Sequence, residues 1–342
     1  MRRAAWRPRS SSSGCDLERL ERGMKKKVII EVALNETVVR RENPHVPLTP
    51  EEIAEDAYQC YREGASIIHF HNRVPDKPDD GSYDSSLAGS AEHYAETMRL
   101  IRAKCDVIPY PTYTYPGAAG REEAERGMHP HVKALRAMPD IGLETFVLHV
   151  GATNIGRYDF KAGRFVYDRV SSHTHEQMSQ FLAWCLESGL QPGFIVREPG
   201  HVRHLLMYHE MGLLKEPIMV HLNMSDSVPY GPMPDAAGVL SLLDMFPPHI
   251  RYEWFPHNYT TFVHDPAHGD THRELNVLAV AMGGHIRTGL GDKPEWDGEQ
   301  LSNVEMVRRM AAVARAVGRE IATPDEARAM LGYSRAPARN AA

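Results

Sequence analysis

One pattern constrains this chain more than any other. Between residues 28 and 317 a short β-branched run gives way to a stretch with helical spacing, and this happens eight times. The strand-like runs fall at 28–34, 66–71, 107–113, 145–150, 193–196, 217–222, 250–255 and 285–290. The first helix opens at Thr49-Pro50-Glu51-Glu52, where Thr49 suits the N-cap, Pro50 the first helical position and Glu52 completes a capping box. Ile53, Ala57, Cys60 and Tyr61 then share one face, and Gly64 ends the helix. Further helical stretches lie at 90–104, 122–137, 174–188, 199–211, 235–245, 271–282 and 302–317. Thr323-Pro324-Asp325-Glu326 opens a last short helix by the same capping logic. Strands that alternate with helices pair in parallel, because a parallel neighbour requires a crossover. Eight such units predict an α/β fold of the (β/α)8 TIM-barrel kind. A doubly wound open sheet is the alternative, but it usually has fewer strands, and no GxGxxG follows the first run. No Pro/Gly/Ser-rich linker interrupts 28–332, which predicts a single domain.

The two ends read differently. Residues 1–24 are basic, Ser-rich and poor in apolar residues, and lack the apolar centre of a secretory signal. They are expected to be a disordered extension, with Met24 a natural start before the first strand. Residues 25–332 are expected to form the catalytic barrel and 333–342 a tail. The formal net charge of -6, with no basic stripe, argues against nucleic acid as a partner. No apolar run approaches the roughly 20 residues of a membrane helix. Cys15, Cys60, Cys105 and Cys185 are scattered without a CxxC pair, which suits free thiols in a reducing cytoplasm.

Active sites of such barrels lie at the C-terminal ends of the strands. Along the chain, those ends offer Asn35 and Glu36; His69, His71 and Arg73; Thr112 and Thr114; His149, Thr153 and Asn154; Glu198 and His201; His221 and Asn223; Glu253 and His257; Arg287 and Asp292. Arg73, Thr112, Thr114 and Asn154 are expected to contact substrate from these places. "IIHFHNR" (67–73) is the most specific stretch. Its two histidines are two apart on a strand, so both imidazoles face one way and can converge on one divalent ion. The bland alternative is a buried pair satisfied by neighbouring groups. In "HIRTGLGD" (285–292) a glycine-rich turn separates Arg287 from Asp292. A cation and a carboxylate at one barrel mouth suit an anionic substrate and a proton transfer. A structural Arg–Asp pair is the alternative there.

Three longer stretches resemble the beta-keto acid cleavage enzymes: "VALNETVVRRENPHVPLTPEEIAEDAYQCYREGASIIHFHNR", "GFIVREPGHVRHLLMYHEMGLLKEP" and "GGHIRTGLGDKPEWDGEQLSNVEMVRRMAAVARAVGREIATPDEARAMLG". The resemblance runs from residue 28 to 332. It implies a zinc-dependent barrel that takes a β-keto acid and acetyl-CoA and returns acetoacetate and a new CoA ester. It implies that His69 and His71 hold the zinc, together with a glutamate of the last-strand motif. It also implies that Arg287 binds the substrate carboxylate or positions Asp292, that Asp292 is the general base, and that Glu36 matches a strand 1 glutamate of the site. A cytoplasmic homo-oligomer, a tetramer by the family's habit, is implied as well. Two departures mark a divergent member. The motif Arg-x-Gly-Leu-Glu-Asp here carries Gly291 in place of the ligating glutamate, and "PTYTYPGAAG" (111–120) replaces a Ser-bearing turn. Glu36, Glu253, His221 and His257 are the residues that could supply the missing ligand, and a protein ligand is expected there rather than water. Two other readings of the histidine pair stay open: a barrel hydrolase of the amidohydrolase kind, which carries His-x-His on its first strand, and a non-catalytic metal-binding protein.

Overall fold

The computed structural model describes residues 23–74, 78–80, 90–112, 129–159, 161–226, 228–258 and 271–334. Eight parallel strands form two arcs of four. β1 (Ile30–Ala33), β2 (Ile67–Phe70) and β3 (Ile108–Pro111) stand in one arc with β10 (Ile286–Thr288), in the order β10-β1-β2-β3. β4 (Val147–His149), β7 (Gly193–Val196), β8 (Ile218–Met224) and β9 (Tyr252–Asn258) make the other in that order. His285 N–H donates to the Trp254 carbonyl at 2.9 Å and ties β9 to β10. Helices α1 (Pro50–Glu63), α2 (Ser90–Lys104), α3 (Pro130–Ala137), α4 (His175–Ser188), α5 (Pro199–Glu210), α6 (Ala236–Leu243), α7 (Thr271–Ala281) and α8 (Asn303–Ala316) follow successive parallel strands, and α9 (Pro324–Leu331) closes the described chain. This is the α/β, TIM-barrel-like architecture that the alternation predicts.

The local signals act as expected. Thr49 accepts from Glu52 N–H at 3.2 Å, Glu52 returns the bond to Thr49 N–H at 3.2 Å, and Gly64 stops α1 at φ 117°. The same reciprocal cap opens α8 at Ser302/Glu305 and α9 at Thr323/Glu326. Strand interiors are buried end to end, as in sheets covered on both faces, and among the described residues most buried apolar side chains form one cluster from Val28 to Tyr333, with a small second cluster of Ile155, Val228 and Tyr230. At the N-terminal strand ends, buried Arg319 donates to the carbonyls of Lys26, Lys27, Val280 and Gly284. Those bonds leave the opposite ends to hold the chemistry.

One element departs from the expected beat. β5 (Ala152–Asp159) and β6 (Arg164–Ser172) form an antiparallel hairpin between β4 and α4. Its turn is set by Asp159, which accepts from the N–H groups of Lys161 and Ala162, and by Gly163 at φ 62°. The β-rich run Phe165-Val166-Tyr167 carried the signal, but it breaks the strand–helix alternation and so was not expected. Residues 1–22 of the expected extension, 335–342 of the tail, and 113–128, which include Thr114 and the first part of the expected 122–137 helix, lie outside the described residues.

Candidate active site

β2 delivers His69 from its last turn of ladder and His71 from one residue beyond its end. Being two apart they share a face, and their Nε2 atoms stand 3.2 Å from each other. Glu36 reaches them from the turn after β1. Its Oε1 lies 3.0 Å from His69 Nε2 and its Oε2 lies 2.7 Å from His71 Nε2. All three side chains are buried, and together they could hold a metal ion.

The turn holds Glu36 at φ 38°, a left-handed conformation uncommon for a residue with a side chain. Two groups enforce it. Val38 N–H donates to the Asn35 carbonyl at 2.9 Å, and Arg73 Nη2 donates to the carbonyls of Asn35 and Val38 at 3.1 and 2.6 Å. Arg73 is buried, which lowers its pKa to about 10 and still leaves it charged at neutral pH. This guanidinium thus holds the loop that presents Glu36.

The protonation states favour a cation. Burial pushes His71 down to about 4, so its ring is neutral at pH 7. The carbonyl of Tyr110 lies 3.3 Å from His69 Nδ1, and a carbonyl can only accept. With its proton on Nδ1, a neutral His69 ring could offer the Nε2 lone pair to an ion. Burial alone would raise Glu36, but His71 and His69 beside it hold the carboxyl well below its ordinary value.

A charged cluster adjoins this triad. Arg287 on β10 forks onto Asp292, Nε to Oδ2 at 2.8 Å and Nη2 to Oδ1 at 2.9 Å. Its Nη1 donates to Glu31 and, at 3.0 Å, to the Tyr110 hydroxyl, and Nη2 also reaches Glu36 Oε1 at 3.3 Å. All five N–H groups of the guanidinium are thereby engaged. Glu31 further accepts from Tyr110 at 2.5 Å and meets His221 Nε2 at 2.8 Å, and His257 Nε2 lies 3.3 Å from Asp292 Oδ1. Burial works against ionising Glu31 and Asp292. It is outweighed for Glu31 by His221 and Arg287 and for Asp292 by Arg287 and His257, so both carboxyls sit well below their usual range. Burial also pushes His257 down to about 4. Glu31, Glu36 and Asp292 are three carboxylates against the one guanidinium of Arg287, an excess of two negative charges among these four buried groups. Two imidazoles and a carboxylate, buried together beside this excess of carboxylates, fit a divalent ion.

A family profile described as beta-keto acid cleavage enzyme matches residues 27–333. The chain belongs to the beta-keto acid cleavage enzyme family. The 3-keto-5-aminohexanoate cleavage enzyme of Fusobacterium nucleatum is 30% identical over 91% of this chain and 100% of that protein. The 3,5-dioxohexanoate:acetyl-CoA acetone transferase of Paraburkholderia graminis is 27% identical over 90% of this chain and 96% of its own length. The apo structure of ObcA superposes with a TM-score of 0.61 at 16% identity, over 85% of this chain and 66% of that one, a likeness of fold.

Within this beta-keto acid cleavage enzyme, the expected site residues divide clearly. His69, His71, Glu36, Arg287 and Asp292 come together. Thr112 is buried at the end of β3, where its carbonyl faces His131 Nε2 at 3.1 Å. Asn154 sits on the β5–β6 hairpin and is exposed, outside the buried cluster. Of the substitutes considered for the ligand missing at Gly291, only Glu36 joins the histidines. Glu253 lies at the start of β9, where it meets Lys26 and His285 at the opposite end of the strands, and His221 and His257 are engaged with Glu31 and Asp292. Gly291 and Glu36 are coupled sterically: a Cβ on residue 291 would stand 2.6 Å from Glu36 Cγ and 3.0 Å from Glu36 N. Sequence reasoning missed Glu31 and Tyr110. The one signal for Glu31 was a lone carboxylate inside the apolar run "VIIEVAL".

Proposed function

We propose that this beta-keto acid cleavage enzyme converts a β-keto acid and acetyl-CoA into acetoacetate and a new CoA ester, with a divalent metal, zinc by its ligand set, held by His69, His71 and Glu36. The observation that carries the reading is the Glu36/His69/His71 triad set against the Arg287–Asp292 pair at the strand ends. The names of the relatives support both substrates, since a 3-keto acid or an acetyl-CoA transfer appears in each. In the overall exchange the bond between the keto carbon and the methylene breaks. A bond forms from that methylene to the acetyl carbonyl carbon, and the CoA thiolate passes to the former keto carbon. When bound, the metal supplies a Lewis acid for the carbonyl oxygens on which charge develops.

The chain's own groups divide the remaining work. Asp292 takes the proton as general base, and Arg287 with His257 keeps its carboxylate ionised. Of the two roles expected for Arg287, positioning fits better, because its five donors already serve Asp292, Glu31, Glu36 and Tyr110. Arg287 also shares Glu36 with the histidines and so fixes the base relative to the ligands. Enclosure of these groups excludes bulk water, which favours thiol transfer over hydrolysis. The test is a panel of β-keto acids incubated with metal-loaded protein, with and without acetyl-CoA. Formation of acetoacetate and a matching CoA ester, only with acetyl-CoA and only without chelator, is the expected result. Turnover that ignores acetyl-CoA would favour a barrel hydrolase instead.

A further inference from the structure

Two side chains that touch neither the triad's donor atoms nor Asp292 repeat one pattern. Asn35 Oδ1 accepts from His71 N–H at 2.9 Å, and its Nδ2 donates to the His71 carbonyl at 2.9 Å and to the Pro47 carbonyl at 2.9 Å. Asn276 Oδ1 accepts from Arg287 N–H at 3.0 Å, and its Nδ2 donates to the Arg287 carbonyl at 2.8 Å and to the His272 carbonyl at 3.0 Å. Each amide thus pairs with both backbone groups of a single residue, as a neighbouring strand would, and spends its second N–H on another carbonyl. Both asparagines are buried, 0% and 1% exposed.

The ladder explains why these positions need such a partner. β1 ends at Ala33, and its register with β2 stops at Ala33–His69, so no residue of β1 remains opposite His71. On β10, Ile286 N–H is spent on the carbonyl of Ile29, just before β1. Backbone groups alternate sides along a strand, so those of Arg287 turn the other way, toward β9. There β9 meets β10 through His285 N–H and the Trp254 carbonyl. Asn276, from α7, fills the place of a β9 partner one step further up. A backbone N–H or carbonyl buried without a partner is costly, so each residue needs one.

We infer that Asn35 and Asn276 are positioning residues for the reaction: side-chain amides that extend the sheet by one step and thereby set the imidazole of His71 and the guanidinium of Arg287. The part concerning metal affinity rests on the reading of His71 as a ligand. Displacements on the order of 1 Å at such groups can lower rates by up to about a hundredfold.

The test compares Asn35→Ala and Asn276→Ala with Ser66→Ala. Ser66 donates to the Ala322 carbonyl at 2.6 Å at the opposite end of β2, so its loss removes a buried hydrogen bond without touching the mouth. Three quantities are measured: zinc affinity against a competing chelator, kcat and KM, and the histidine ring 15N signals of metal-free protein. Asn35→Ala is expected to weaken zinc by about tenfold or more and to shift the His69 and His71 ring signals. Asn276→Ala is expected to lower kcat by about tenfold or more while zinc affinity holds. Ser66→Ala is expected to lower the melting temperature and move none of the three. The inference is overturned if Asn35→Ala keeps wild-type ring signals, or if Ser66→Ala moves signals and affinity as far at an equal loss of melting temperature. Should wild type take up no zinc, the metal reading fails separately, and the ring signals of metal-free protein still decide on Asn35. If an alanine variant does not fold, Asn35→Ser and Asn276→Ser are read in the same way.

Discussion

At the scale of single residues, the centre of this site was half legible. His69 and His71 announced themselves, because two histidines two apart on an apolar strand share a face. Glu36 was visible only as a residue at a strand end. Its part in the triad depends on a left-handed turn, on Arg73 folding that turn, and on a glycine 255 positions away in the sequence, none of which spacing reveals. Two predictions follow from this geometry. His69→Ala, His71→Ala and Glu36→Ala should each lose most of the bound divalent ion by elemental analysis; full occupancy in all three would remove the assignment. Gly291→Glu should leave zinc affinity unchanged or lower, since its Cβ alone would press on Glu36. A clear gain in a chelator titration would mean that residue 291, with Glu36 displaced, makes the better ligand. A third prediction concerns the base. Asp292→Asn should cut kcat by roughly 10²–10⁴ with metal content intact. Arg287→Lys should fail to restore function, because an ammonium cannot fork onto Asp292 while reaching Glu31 and Glu36. Near-normal kinetics in both would leave only a structural pair.

At the scale of elements, capping boxes and the strand–helix beat placed nearly every helix and parallel strand, because both signals are local. The β5–β6 hairpin escaped because it interrupts the beat, and Asn154, expected at the mouth, went with it. Buried titratable groups carried between elements give a pH signature. Burial pushes His201 on α5 and His257 on β9 down to about 4. Below their unfolded pKa of about 6.5, the unfolded chain binds protons that the folded chain refuses. Stability contributed by these two neutral rings is therefore present above pH 6.5 and lost as pH falls toward 4, at about 1.4 kcal/mol per pH unit for each. Asp56 on α1 opposes them. Burial raises it to about 7, so the folded chain holds its proton, and its contribution is lost as pH rises to that value. Unfolding free energies of metal-free protein, measured from pH 4 to 8, should rise with pH up to about 6.5. Asp56→Asn, whose amide can still accept from Asn303, should steepen that rise and stabilise the protein at pH 8. A wild-type stability that is flat or falling over pH 4 to 6.5 would contradict this balance.

At the scale of the whole molecule, the two ends of the sheet do different work. Arg319 and its four carbonyls secure the N-terminal ends, and the C-terminal ends gather three carboxylates, one guanidinium and four histidines in a buried cluster. The sequence could forecast that polarity of the barrel, since it follows from the fold class. It could not forecast that Arg287 would be spent wholly on neighbours, since that depends on Glu31 and Tyr110 arriving from other strands. In the proposed reaction this enclosed cluster exchanges carbon between two substrates without water entering the products. The most direct measurement follows acetyl-CoA labelled with ¹³C in both acetyl carbons, incubated in H₂¹⁸O with a β-keto acid that the enzyme turns over. Both labelled carbons are expected to end as carbons 3 and 4 of acetoacetate, with the new CoA ester unlabelled and neither product gaining ¹⁸O during turnover. Appearance of ¹⁸O in a free acid derived from the keto side, with the label still in acetyl-CoA, would contradict it.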